Sequence, residues 1–326
     1  LSAGLEGNES ALFAALGDDL GKSPVQAFAT ELGLVQAEIR HALRHLRKWA
    51  APSRGPTPWL LWAGRGWVQP EPLGVALIIG PWNYPAQLLL TPLASAIAAG
   101  NCVLLKPSEL APRTAEAITA LVREKFAEDF ISVANGGPEV AEALLRERFD
   151  KIFFTGSTRV GRVVMAAAAR HLTPVTLELG GKCPAIVCAD APMELAARRI
   201  AWGKFMNAGQ TCVAPDFVLV QRGVREAFVT ALKKAIREFY GGNPSQSGEY
   251  GRIVNARHFE RLVNYLGDGR VVCGGEQNSK DLYVAPTILA EVSPESPVMQ
   301  EEIFGPILPV LEFDPLDDAL ALLRER

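Results

Sequence analysis

The sequence predicts an α/β protein. It reads as a Rossmann-like, doubly wound parallel sheet for a cofactor, followed by a second α/β domain for catalysis. Three observations carry this. From Gly74 onward, short apolar runs alternate with segments of helical periodicity, as βα units around a covered parallel sheet do. The chain has 326 residues, enough for two domains. Its apolar content of 48% supports a large core and argues against disorder. The division is placed after the fifth apolar run, giving a nucleotide-binding domain at 1–179 and a catalytic domain at 180–326.

Residues 10–50 read as helices, because Leu32, Val35, Ile39, Ala42, Leu43 and Leu46 recur at helical spacing. Pro52, Gly55, Pro56 and Pro58 end that pattern. Residues 59–68 are rich in aromatic and aliphatic side chains around Gly64-Arg65-Gly66. They read as a hairpin-like excursion, and the region 59–72 is a candidate oligomerisation element. Residues 75–79, 102–105, 131–134, 151–154 and 175–179 are the expected strands, with helices between them. In the second half, strands are expected at 185–188, 218–220, 271–273, 287–289 and 307–310. Helices are expected at 193–206, 225–239 and 256–266.

Bulk properties exclude several classes. A formal net charge of -3, without a concentration of Lys and Arg, argues against a nucleic-acid partner. Cys102, Cys183, Cys188, Cys212 and Cys273 form no Cys-x-x-Cys pair, so neither a metal site nor a disulfide framework is expected. All but Cys212 read as small buried hydrophobes. A reducing, cytoplasmic setting fits this cysteine usage. No apolar run approaches the ~20 residues that span a bilayer, and no secretory leader is visible. The chain opens on Leu1 and stops within a helical pattern at 316–323, so both ends read as interior to something longer.

Chemistry-bearing residues fall near the predicted strand ends. Thr155-Gly156-Ser157-Thr158-Arg159-Val160-Gly161 follows a strand and opens a helix. Gly156 would allow close backbone approach and Ser157 can cap, so the helix N-terminus could face a pyrophosphate. An ordinary glycine turn explains the run equally well. Lys106 and Glu109 follow the second strand, where ribose hydroxyls are met in such sheets. Glu109 disfavours a 2′-phosphate, so NAD is preferred and NADP is the alternative. A salt bridge between the two is the competing reading. Asn83, in Pro81-Trp82-Asn83-Tyr84-Pro85, is a candidate oxyanion donor or simply a turn residue before Pro85. Cys212 lies in a polar run, Asn207-Ala208-Gly209-Gln210-Thr211-Cys212, and is a candidate nucleophile. Glu178, beside Gly180-Gly181, is a candidate base for water. None of the four histidines lies in these motifs, so a Cys-His hydrolase has little support.

Taken together, these segments resemble the aldehyde dehydrogenase family, and most of all its class 3 branch for fatty and aromatic aldehydes. The likeness continues through Glu71-Pro72-Leu73-Gly74, Leu105-Lys106-Pro107-Ser108-Glu109, Glu178-Leu179-Gly180-Gly181-Lys182 and Met299-Gln300-Glu301-Glu302-Ile303-Phe304-Gly305-Pro306. The motifs appear in family order over nearly the whole chain.

The resemblance implies roles. Cys212 becomes the nucleophile, Glu178 the general base and Asn83 the oxyanion amide. Lys106 and Glu109 become adenosine-ribose contacts, and Gly156, Ser157, Val160 and Gly161 the pyrophosphate loop. Trp82, Leu179, Glu302 and Phe304 also become cofactor contacts, with Glu302 and Phe304 on the nicotinamide half. The implied activity is NAD(P)-dependent oxidation of a small-molecule aldehyde through a thiohemiacetal and a thioester, in a homodimer when full length. Family members continue beyond the end of this chain, so the catalytic domain reads as lacking its C-terminal part. The rival readings are a CoA-acylating relative and a truncated, non-catalytic nucleotide-binding protein.

Overall fold

The computed structural model describes residues 1–324, and residues 325 and 326 of the expected second domain lie outside the described residues. Helices fill the N-terminal region: α1 (Ser2–Gly7), α2 (Glu9–Leu20), α3 (Pro24–Ala27) and α4 (Gly33–Trp49). One π-helical turn at Phe28–Leu32 runs directly into α4. Strands β1 (Ser53–Gly55) and β2 (Gly66–Val68) then pair antiparallel.

The hairpin-like excursion expected at 59–68 is wider than those bounds: its first strand lies upstream at Ser53–Gly55, its second is Gly66–Val68, and Trp59–Leu61 is a 3-10 turn in the connection. Pro56 and Pro58 lack the N–H a ladder needs, so pairing stops at Gly55.

The chain divides into two compact units, Leu1–Ala15 with Val25–Glu178, and Leu16–Pro24 with Leu179–Arg326. In the first, strands β3 (Val75–Ile79), β4 (Cys102–Lys106), β5 (Ile131–Val133), β6 (Lys151–Gly156) and β7 (Val175–Leu179) lie in the order β5-β4-β3-β6-β7. The pairs β3–β4, β3–β6 and β4–β5 are parallel. The connections carry α5 (Gln87–Ala98), α6 (Pro112–Lys125), α7 (Pro138–Leu144) and α8 (Thr158–Ala169). Leu77, Leu89, Leu90, Leu105, Ile118 and Leu121 are fully buried, which explains why these strands read as unbroken apolar runs.

The second unit holds β8 (Pro184–Val187), β9 (Phe217–Gln221), β10 (Arg270–Cys273), β13 (Thr287–Ala290) and β14 (Ile307–Phe313), with a two-residue pair, β11 (Gln277–Asn278) and β12 (Tyr283–Val284), between β10 and β13. The larger sheet has the order β10-β13-β14-β9-β8, with β10 antiparallel to β13. Helices α9 (Met193–Phe205), α10 (Arg225–Tyr240), α11 (Ala256–Tyr265), α12 (Pro297–Gln300) and α13 (Leu316–Arg324) complete it. Phe205, Phe217, Phe228, Leu232, Leu262 and Ile288 are fully buried in one cluster.

The expectation that four cysteines are core hydrophobes is not met. Cys102, Cys183, Cys188 and Cys273 are all half-buried. Cys183 and Cys188 flank the edge strand β8, Cys273 ends the edge strand β10, and Cys102 opens β4. Edges and strand ends are covered on fewer sides than a central strand.

One buried carboxylate organises the first unit. Glu31 is fully buried in the π-turn. Its Oε2 accepts from the Ala86 and Gln87 N–H groups at 3.1 and 2.8 Å, at the start of α5. Those donors have no partner within their own helix, and the helix dipole favours an anion there. Glu31→Ala leaves both N–H groups unpaired. It is expected to lower stability by about 1–3 kcal/mol, read from urea unfolding.

Candidate functional site

In the first unit, the chain leaves β3 to one side through β4 and β5, then returns to the other side for β6 and β7. The order therefore reverses between β3 and β6. Ligands bind open sheets of this kind outside the carboxyl ends of the strands at such a reversal. Trp82 and Asn83 follow the end of β3, and Asn83 is 3% exposed. Lys106 ends β4 with its ammonium buried. It donates to Glu109 Oε2 at 3.1 Å and to the Pro107 carbonyl at 3.0 Å. Glu109 itself is exposed. The salt bridge weighed as the competing reading is therefore formed.

Gly156 ends β6, and Ser157 caps α8, its hydroxyl accepting from the Val160 N–H at 3.4 Å. Gly161 lies buried one turn further along. The Thr155 hydroxyl, at the same rim, is buried and has no hydrogen-bond partner among the described residues. An orphaned hydroxyl beside an exposed helix N-terminus leaves polar groups for a phosphate-bearing ligand to satisfy. The residues present thus fit a dinucleotide. Glu178 lies exposed near the end of β7, the outermost strand of the sheet, and Leu179 is half-buried.

In the second unit, the run before Cys212 is a buried turn with unusual backbone. Asn207, Ala208 and Gly209 have φ of 53, 50 and 75°. Left-handed geometry at two residues that carry a Cβ costs on the order of 1 kcal/mol each. Gln210 holds the turn in place. Its amide donates to the Asn207 carbonyl at 3.0 Å and the Arg252 carbonyl at 2.9 Å, and it accepts from the Val254 N–H at 3.0 Å. Gly209 is required, since a Cβ there would lie 2.2 Å from the Gly305 carbonyl oxygen. The outcome is a half-buried Cys212 beside Val213, which is 79% exposed. Cys212 is therefore presented, not packed in hydrocarbon.

Glu302 and Phe304 lie in the segment that Gly305 ends. Glu302 presses against Gly180, where a Cβ would come within 1.9 Å of Oε2, so a side chain at 180 would displace the carboxylate. Burial, then the charge of Asp216, raises the Glu302 carboxyl to about 7, against the Gly181 N–H and the Lys204 and Arg261 charges. Phe304 has a φ of 49°. The backbone here is gripped from two sides. Arg261 donates to the Glu302 and Ile303 carbonyls at 3.3 and 2.7 Å. Asp216 accepts from the Ile303 N–H at 3.0 Å.

No local sequence motif marks Asp216 or Lys204. Asp216 is buried and accepts from Lys182 Nζ at 2.6 Å. Lys182 also donates to the Val298 and Glu301 carbonyls at 2.5 and 3.0 Å. Lys204 is fully buried. Its ammonium lies 3.8 Å from Asp216 Oδ1, an ion pair too long for a hydrogen bond. Burial, opposed by Asp216, lowers the Lys204 ammonium to about 8. A signal for Lys204 was available, since Ala197, Ile200, Ala201 and Lys204 share one buried face of α9.

The fold and these groups define a doubly wound, nucleotide-binding type of α/β protein with a second α/β unit that presents a thiol. The profile of the aldehyde dehydrogenase family matches residues 1–324. Over 326 residues the chain is 47% identical to aldehyde dehydrogenase family 3 member B1 of Rattus norvegicus, covering 100% of this chain and 70% of that protein. The solved structure of substrate-bound Staphylococcus aureus AldH is similar at a TM-score of 0.97 and 45% identity, covering 100% of this chain and 71% of that one. Mycobacterium tuberculosis aldehyde dehydrogenase complexed with NAD+ is similar at 0.88 and 30% identity, covering 98% and 68%. The chain belongs to the aldehyde dehydrogenase family.

Glu302 makes stability depend on pH. Its folded value of about 7 lies above the ordinary 4.5, so as pH rises through that window the unfolded chain ionises first. Folding stability then falls. Glu302→Gln lacks this loss. The melting temperature of the variant relative to the parent is expected to climb across that interval and level off above it. A difference that stays flat with pH would contradict the shift.

Proposed function

We propose that this chain oxidises an aldehyde to a carboxylic acid with NAD, Cys212 being the nucleophile. The observation that carries the reading is the presentation of Cys212, a half-exposed thiol at the end of a buried, strained turn in a chain of this family. Residues 1–179 are assigned to the cofactor and 180–326 to catalysis.

NAD, when bound, would accept the hydride from the aldehyde carbon. Lys106 and Glu109 would hold the adenosine ribose, and the Glu109 carboxylate would repel a 2′-phosphate. The N–H groups opening α8 at Gly156, Ser157, Val160 and Gly161 would meet the pyrophosphate. Trp82 and Leu179 would also contact the cofactor, and Glu302 and Phe304 would flank the nicotinamide half, with the Glu302 carboxylate accepting from ribose hydroxyls. That acceptance strengthens as Glu302 ionises.

The Cys212 sulfur attacks the carbonyl carbon and forms a thiohemiacetal alkoxide. The Asn83 amide donates to that oxygen, and such a donor is worth roughly 3 kcal/mol at a transition state. Loss of hydride leaves a thioester on Cys212. Glu178 takes a proton from water, which attacks the thioester and releases the acid. Because hydrolysis needs a base and transfer to a CoA thiol does not, Glu178 favours the acid as product. No helix of the described residues is long and apolar enough to cross a membrane.

The test is NADH absorbance from the purified chain with NAD and a fatty or aromatic aldehyde. Cys212→Ser is expected to abolish turnover while leaving NAD affinity within about twofold. Full turnover in that variant would overturn the assignment. Glu178→Gln is expected to give one burst of NADH per chain followed by a slow steady state. A steady rate equal to the parent would remove Glu178 from the base role.

A further inference from the structure

We propose that Cys183 is a redox-modification site that rescues Cys212, by resolving a peroxide-oxidised Cys212 into a reversible Cys183–Cys212 disulfide. The inference rests on Cys212 being the reactive thiol of the proposed function. Four observations bear on it.

First, the two residues touch. The Cys183 thiol donates to the Cys212 carbonyl oxygen at 3.6 Å. Only Cα and Cβ separate that carbonyl from Cys212's own sulfur, so this approach brings the two thiols into one neighbourhood. Second, the backbone under them is fixed. The Asp216 N–H donates to the Cys183 carbonyl at 2.7 Å, and Lys182, directly before Cys183, is locked to the Asp216 carboxylate at 2.6 Å. Third, both thiols are half-buried, so a small oxidant reaches them without unfolding. Fourth, burial, then the charges of Asp216, Glu302 and Cys212, push the Cys183 thiol up. In the resting state Cys183 therefore stays protonated and does not compete for the aldehyde.

The chemistry balances with an alkyl or hydrogen hydroperoxide as oxidant. The Cys212 thiolate attacks the terminal peroxide oxygen. An S–O bond forms, the O–O bond breaks, and the leaving oxygen takes a proton as an alcohol or water. Cys212 is now a sulfenic acid, oxidised by two electrons that the peroxide has accepted. Cys183 then attacks the Cys212 sulfur. The S–S bond forms, the S–O bond breaks, and the departing hydroxide carries off the Cys183 proton as water. Without a partner thiol, a second peroxide would carry Cys212 on to the sulfinic acid, which thiols do not reduce.

The experiment treats the purified chain with hydrogen peroxide, alkylates the remaining thiols under denaturing conditions and maps peptides without reduction. The expected product is a linked peptide pair joining Cys183 to Cys212, and dithiothreitol returns both to free thiols. Cys183→Ser, with turnover unchanged before oxidation, is expected to show sulfinic acid at Cys212 that dithiothreitol does not reverse. The proposal is overturned if the parent chain gives alkylated Cys183 with sulfinic Cys212, or Cys212 linked to another cysteine. NADH production by the untreated chain is measured in parallel. Its absence would sink the functional reading, while the peptide map would still decide the thiol pair.

Discussion

The Asp216 carboxylate is the constraint on which the second unit's site depends. Three stretches far apart in sequence converge on it. Lys182 comes from the link between β7 and β8, Lys204 from the end of α9, and the Ile303 N–H from the segment before β14. Two cations, the part-buried Lys182 and the fully buried Lys204, share one carboxylate. Breaking a buried pair by removing one partner costs roughly 3–5 kcal/mol, because the charge left behind stays desolvated. Asp216 is thus hard to replace even though the pairs add little net stability. Their contribution is positional. Lys182 carries the hold onward to the Val298 and Glu301 carbonyls, which leaves Glu302 little freedom.

That fixed wall explains how the strained turn before Cys212 persists. Asn207 and Ala208 adopt backbone angles that a side chain disfavours. The turn is over-determined by what surrounds it: Gln210 satisfies three backbone groups, and Gly209 abuts the Gly305 carbonyl. A segment free to move would relax to ordinary angles and withdraw the thiol. With Gly305 fixed by its neighbours, relaxation has nowhere to go. Strain at a functional position persists when the surroundings leave no alternative.

How much of this was legible in the sequence follows from what each pattern reports. The strands of the first sheet were legible because burial on both faces erases polar residues, as in Val75–Ile79. The cap at Ser157 was legible because its motif is local. The polarity of Asn207–Gln210 was legible, yet its burial was not, since polarity normally marks a surface. Lys204 was missed for the same reason: a lysine on an amphipathic helix is read as solvated unless its face is traced. Glu31 and Asp216 act through partners at sequence separations of 55 and 87 residues, and no local pattern encodes such distances. The short strand at Ser53–Gly55 was hidden because its partner lies beyond two prolines.

The carboxylates that steady the wall also sort the chain's thiols. Burial first, and then the negative charges of Asp216 and Glu302, hold Cys183 toward the neutral thiol. A sulfur held as thiol attacks a carbonyl poorly, because the anion is the nucleophile. One charge arrangement therefore does two things. It fixes the Glu302 segment in place, and it helps keep the Cys183 sulfur protonated, which suits the nucleophile role proposed for Cys212. Removing that charge to free Cys183 would release the wall, so the two properties cannot be varied independently.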